Sequence, residues 1–249
     1  MIKKIYSIVI KLLFRPKLSC HDEEINLIFH SISHQAKDKS IYSMSKKKFE
    51  ELVHIVKKLQ IAHKSQFNKD LKIIFTFDDG YKDFIINALP VLKKNRMNSI
   101  VFIIGSNIFS GRKEFISFDD LDILRENNVK IGMHGYSHIK LDALSHIELK
   151  KEISNLQHII KKAKLRTSMF SLPFGGGNDL VFDFLKNAGF NNVYTSSYGS
   201  GVAFKSVKLY KRIDIWSIDN HQTLIQKMEN FWDLYYFFDN LKSKVYRVK

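Results

Sequence analysis

The sequence predicts an α/β fold, a barrel of about seven parallel strands alternating with helices. Three observations predict it. Short apolar runs recur along the chain, helical patterns with recognisable starts lie between them, and polar, glycine-rich clusters follow several runs directly. The runs are 25–29, 73–77, 100–104, 129–133, 169–172, 193–196 and 209–216. Each is bulky and mostly unalternated, as strands buried on both faces are.

The helices are justified in turn by their starts. Ser45 precedes Phe49, Leu52, Val53 and Val56 at helical spacing. Ser117 with Asp120 resembles a weak capping box, and Ser145 with Glu148 makes a good one. Asn178 can cap a helix that turns Val181, Phe184, Leu185 and Ala188 inward. Strand–helix alternation of this kind implies a parallel sheet, and seven or eight such strands close into a barrel. No internal repeat stands out, so we expect a basic N-terminal segment, 1–20, followed by one domain, 21–249, that ends in a helix.

Composition narrows the classes. The chain has 249 residues, 45% hydrophobic and 26% charged, which excludes wholesale disorder. With 3 prolines and 11 glycines it is not a linker-dominated chain. A single cysteine, Cys20, excludes an intramolecular disulfide framework and a cysteine-rich zinc site. The net charge of +15 suggests an anionic partner. Nine of those charges sit in the termini, on Lys3, Lys4, Lys11, Arg15, Lys17, Lys242, Lys244, Arg247 and Lys249, where no acid offsets them. No aromatic-interleaved basic stripe marks a nucleic-acid surface, so no specific nucleic acid is expected.

Residues 1–17 carry a wide apolar face of Ile2, Ile5, Tyr6, Ile8, Val9, Leu12 and Leu13, with lysines outside it and Pro16 as a stop. Lys11 interrupts the apolar core, which argues against a secretory signal. A basic helix lying on an anionic membrane surface fits the pattern. A helix packed on the domain fits it almost as well.

Chemistry collects at the carboxyl ends of barrel strands, and the apolar runs obey this. Run 73–77 ends in Asp78-Asp79-Gly80, and 129–133 in His134-Gly-Tyr-Ser-His138. Run 169–172 leads into Pro173-Phe174-Gly175, 25–29 into His30, and the last run contains Arg212-Ile-Asp214. One aspartate of the pair can bind a metal while the other stands beside it as a base. Taken alone, such a triplet is more often a turn. Two histidines four apart suit a metal clamp, and with one carboxylate they leave coordination positions open for water and substrate. Glycines 175–177 resemble a phosphate cradle, but no P-loop lysine follows.

Together, FTFDDG, HGYSH and LPFGG resemble the motifs of the polysaccharide deacetylases, the NodB-homology carbohydrate esterases, over roughly residues 24–216. The resemblance implies a distorted (β/α) barrel, one divalent metal ion (Zn2+ first; Co2+, Ni2+ or Mn2+ as alternatives), and removal of an N-acetyl group from a sugar. Carried over by motif, Asp78 is the general base, while Asp79, His134 and His138 hold the metal. The backbone around Pro173, Phe174 and Gly175 receives substrate, with the N–H near Phe174 helping to stabilise the oxyanion. Two departures stand out. Ser171 occupies the place of an arginine that orients the base, and Arg212 with Asp214 are the candidate substitutes. The late motif that supplies the general acid is missing, and His221 matches it poorly. His30 resembles the early-strand histidine of the biofilm-polysaccharide branch, whose motif order is permuted, and is the expected acid.

The expected function is thus a metal-dependent N-deacetylase acting on an acetamido sugar in a polysaccharide or lipid-linked precursor. We expect it in the cytoplasm, peripheral at the inner membrane face. The alternative is a catalytically inactive, membrane-associated glycan-binding protein on the same fold. Aromatics of the segment Tyr235-Tyr-Phe-Phe238 could stack on sugar, although packing on the barrel explains them more simply.

Overall fold

The computed structural model describes residues 24–33, 40–196 and 207–228. Residues 1–17 and the 235–238 aromatics lie outside them. The described residues form ten strands: β1 (Ile25–Phe29), β2 (Ser31–Ser33), β3 (Ser43–Ser45), β4 (Ile73–Phe77), β5 (Asn98–Ile103), β6 (Lys130–Met133), β7 (Met169–Ser171), β8 (Asn192–Tyr194), β9 (Lys208–Tyr210) and β10 (Arg212–Asp214). The helices are α1 (Lys46–Phe67), α2 (Leu89–Asn95), α3 (Leu121–Glu126), α4 (His146–Lys162), α5 (Asp179–Asn187) and α6 (His221–Met228). None of the described helices is long and apolar enough to cross a membrane.

Eight strands form one parallel sheet in the order β10-β1-β4-β5-β6-β7-β8-β9, and β2 pairs with β3 separately. The last apolar run, expected as one strand, is two. β9 pairs with β8 and β10 with β1, so consecutive strands occupy opposite edges of the sheet with only Lys211 between them. That single-residue step draws the edges together, and the sheet nearly closes into a barrel. Closure removes exposed edges that would otherwise template aggregation.

Alternation along the strands sorts the side chains onto two faces. Leu27, Phe29, Phe75, Phe77, Val101 and Ile103 pack outward against the helices in the main core. Ile74, Ile100, Phe102 and Tyr194 form a second cluster inside the barrel. Gly132 on β6 is required there, because an added Cβ would meet the Phe102 ring at 2.4 Å. Above this apolar plug the interior turns polar.

The helix starts follow the sequence. Ser45 caps α1 by accepting from the Lys48 N–H, and Ser145 and Glu148 complete a capping box on α4. The Ser117–Asp120 box forms on a short 3-10 turn that runs into α3. Asn178 caps α5, which buries Val181, Phe182 and Leu185 and packs Phe184 and Ala188 half-buried against the same core.

Candidate active site

The polar layer at the carboxyl ends of the strands centres on Asp78, buried just past β4. Arg212, fully buried on β10, grips it bidentately: Nη1 donates to Oδ1 at 2.7 Å and Nη2 to Oδ2 at 2.8 Å. The other Arg212 donors are also used. Nη1 reaches Thr76 Oγ1 (3.2 Å), Nη2 reaches Ser171 Oγ (2.7 Å), and Nε reaches the Thr195 carbonyl (3.1 Å). All five guanidinium N–H groups thus have acceptors, which is what makes a buried cation tolerable. Burial alone would raise the Asp78 pKa, but the Arg212 guanidinium holds the carboxyl well below the usual carboxylate range. Ser171, at the place where the resemblance expected an arginine, donates from Oγ to Asp78 Oδ2 at 3.2 Å. A serine there leaves room for an arginine arriving from β10.

Beside this pair, Asp79, His134 and His138 converge, their ligand atoms all within 4.8 Å of one another. Asp79 Oδ1 lies 3.5 Å from His134 Nε2 and 3.2 Å from His138 Nε2. Donors around a tetrahedral ion with bonds of about 2.0–2.1 Å stand roughly 3.3 Å apart, so the spacing fits. Asp79 Oδ1 is buried without a hydrogen bond of good geometry. The tautomer of His134 is also suitable. Its Nδ1 lies 2.9 Å from the Ser171 carbonyl, which can only accept, so Nδ1 carries the proton and Nε2 presents a lone pair. Burial lowers the His134 pKa and favours that neutral form, whereas the neighbouring Asp79 carboxylate raises that of His138.

Three site residues have left-handed backbones: Asp79 (φ 69°), His138 (φ 54°) and Phe174 (φ 57°). The other non-glycine cases, Asn68, Arg96, Asn128 and Lys164, lie at or just past helix ends, where such a conformation is ordinary. Among the described residues, left-handed non-glycine backbone away from helix ends is confined to this site. Gly80 and Gly135 share the left-handed region in the same two turns.

These groups open into a cavity of about 420 Å3 lined also by His30, Tyr42, Tyr81, Phe174, Ser196 and Asp214. His30 follows β1, its ring tilted against Tyr42 with centroids 5.0 Å apart, and its Nδ1 is buried without a partner. Phe174 lies tilted against His138, with ring centroids 4.7 Å apart, and is 66% exposed at the mouth, while Pro173 before it is buried. Gly175 closes the turn by donating to the Leu172 carbonyl at 3.0 Å. Arg212 grips Asp78, whereas Asp214 lines the cavity wall, where burial pushes its carboxyl up. His221 is exposed at the start of α6, away from the cavity lining.

Sequence reasoning missed Thr76, Ser171 and Thr195 as partners of the arginine. The alternation Thr76-Phe-Asp78 was the available signal for the first, since it sets both side chains on the inner face.

A polysaccharide deacetylase family model matches residues 65–193, half of the chain, and covers both the aspartate and the histidine motifs. The chain belongs to the polysaccharide deacetylase family. Like other members it has curated relatives. YxkH of Bacillus subtilis is 26% identical over 129 residues, 51% of this chain and 46% of that protein. The peptidoglycan-N-acetylmuramic acid deacetylase PdaC of Bacillus subtilis is 34% identical over 43% of this chain and 22% of its own length. The matched region thus spans less than half of either relative. Among solved structures, the Streptococcus pyogenes deacetylase PplD in complex with acetate superposes with a TM-score of 0.69 at 18% identity. That superposition covers 82% of this chain and 97% of PplD, which supports the deacetylase barrel as the fold.

Proposed function

We propose that this polysaccharide deacetylase is a metal-dependent hydrolase that removes N-acetyl groups from an acetamido sugar. The observation that carries the reading is the pairing of a three-donor cluster, Asp79, His134 and His138, with an arginine-held carboxylate, Asp78, in one cavity. Two neutral nitrogens and one carboxylate suit a zinc-like ion that keeps positions open. When bound, such an ion polarises the acetyl carbonyl and acidifies water.

The chain's own residues supply the rest. Asp78 Oδ2 accepts from Arg212 and Ser171, whereas Oδ1 accepts only from Arg212 among the described contacts and keeps a lone pair for the water's proton. Water oxygen bonds to the acetyl carbon, and the backbone at Phe174 meets the developing oxyanion. As the carbon–nitrogen bond breaks, His30 protonates the departing amine, leaving acetate and a free amino sugar. A glycan-binding protein without catalysis has no use for a base gripped by a buried arginine, so the inactive alternative loses ground.

The substrate in this reading is a polysaccharide or a lipid-linked glycan precursor. PdaC, a deacetylase of N-acetylmuramic acid by name, supports an acetamido substrate class. The basic, amphipathic residues 1–17 support work at the inner face of the cytoplasmic membrane. The test is acetate release from free and lipid-linked N-acetyl sugars, with and without chelator. Release abolished by chelator and restored by Zn2+ is expected. Release indifferent to chelator would overturn the metal assignment, and none from any acetamido sugar would overturn the activity.

A further inference from the structure

The turn that presents His134 and His138 is gripped by a carboxylate from a helix outside the site. Glu152, 5% exposed on α4, accepts at Oε1 from the Tyr136 N–H (2.7 Å) and the Ser137 N–H (2.9 Å). Its Oε2 accepts from Ser137 Oγ at 2.6 Å. The flanks of the same turn are fixed by backbone bonds, with Gly105 N donating to the Gly135 carbonyl and Ser106 N to that of Tyr136, each at 2.9 Å. Between these anchors Gly135 (φ 74°) and His138 (φ 54°) both sit in the left-handed region, which is unfavourable for a histidine. A buried carboxylate needs hydrogen-bond donors to offset its lost hydration, and consecutive N–H groups supply them only while the turn keeps this shape.

We propose that Glu152 is a positioning residue of the metal site: its buried carboxylate templates the 135–138 turn, so that His134 and His138 already face Asp79 before an ion arrives. This rests on the reading that Asp79, His134 and His138 take a divalent ion. Glu152 itself is not one of the three converging donors, and among the described contacts its carboxylate bonds the backbone and hydroxyl between the two histidines. Without it, His138 is free to leave its strained backbone conformation, and the donor set must be reassembled at each binding event.

The test compares the full chain with E152A, E152Q and L156A. Leu156 is fully buried one turn along α4 and packs on Gly105, the residue after β5 that donates to the Gly135 carbonyl, so L156A controls for simple loosening. Zn2+ affinity is measured by competition with a chromophoric chelator, and amide hydrogen exchange is followed at Tyr136 and Ser137. E152A should bind Zn2+ about 10–100-fold more weakly, the range typical for loss of a partner behind the ligands. E152Q, whose amide oxygen can still accept both N–H groups, should recover most of that affinity. L156A should lose stability while keeping its Zn2+ affinity. Exchange at Tyr136 and Ser137 should accelerate in E152A alone. E152A binding Zn2+ as tightly as the unaltered chain overturns the proposal, and so does an equal affinity loss in L156A. If the unaltered chain takes up no Zn2+, the metal reading fails separately. The exchange data then decide, and unchanged exchange in E152A overturns the template.

Discussion

Asp78 and Asp79 are neighbours in sequence with opposite surroundings, and their substitutions should separate cleanly. Asp78 faces an arginine fork, while Asp79 faces two imidazoles. Asp78→Asn should therefore keep its metal and lose nearly all turnover, because the base is removed and the donor set remains. Asp79→Ala should lose both. Metal content of the purified variants, set against acetate release, checks the assignment, and equal metal loss in the two would reverse it. His30→Ala should lower turnover by roughly 10²–10⁴-fold with metal and fold retained, the usual worth of a general acid. Near-normal turnover in His30→Ala would move the acid elsewhere. Arg212→Met should cost about 3–5 kcal/mol of stability, since it leaves Asp78 buried without its counter-charge. Chemical denaturation measures that loss.

At the scale of the element, β6 illustrates how a strand and its neighbour share one interior space. Gly132 gives way to the ring of Phe102, its register partner on the adjacent strand β5, and its backbone needs no left-handed angle, so substitution there is a purely steric matter. Gly132→Ala should destabilise the fold by about 1–3 kcal/mol, the usual cost of overpacking. Adding Phe102→Leu should recover part of it, a coupling that a double-mutant cycle reads directly. The strands and helix starts were legible in the chain because their signals are local. Ser45, Ser145 and Asn178 cap where a serine or asparagine precedes an apolar period. The break at Lys211 was not legible, since 209–216 reads as one continuous apolar run. Only the need to bridge two sheet edges divides it.

For the whole molecule, closure and attachment are separable. The described barrel packs its own core, so a chain lacking residues 1–17 should stay folded and release acetate from a soluble N-acetyl sugar. The same truncation should lower co-sedimentation with anionic liposomes, because it removes an apolar face together with five positive charges in the first twenty residues. Equal partitioning of the two proteins would assign that segment to packing instead.

The sequence by itself determined the parallel α/β architecture, the positions of most of its strands and caps, and the grouping of Asp79, His134 and His138 with Asp78 beside them. Buried strands and capped helices write their signatures within a few residues, and each motif lies at the end of a run that is itself recognisable. The tertiary structure decided which partners those residues have. Arg212 meets Asp78 across 134 residues of chain because β10 lies one strand away from β4, and Ser171 and the Thr195 carbonyl complete the grip from the far side of the nearly closed barrel. No local pattern records which distant strand will stand next to which.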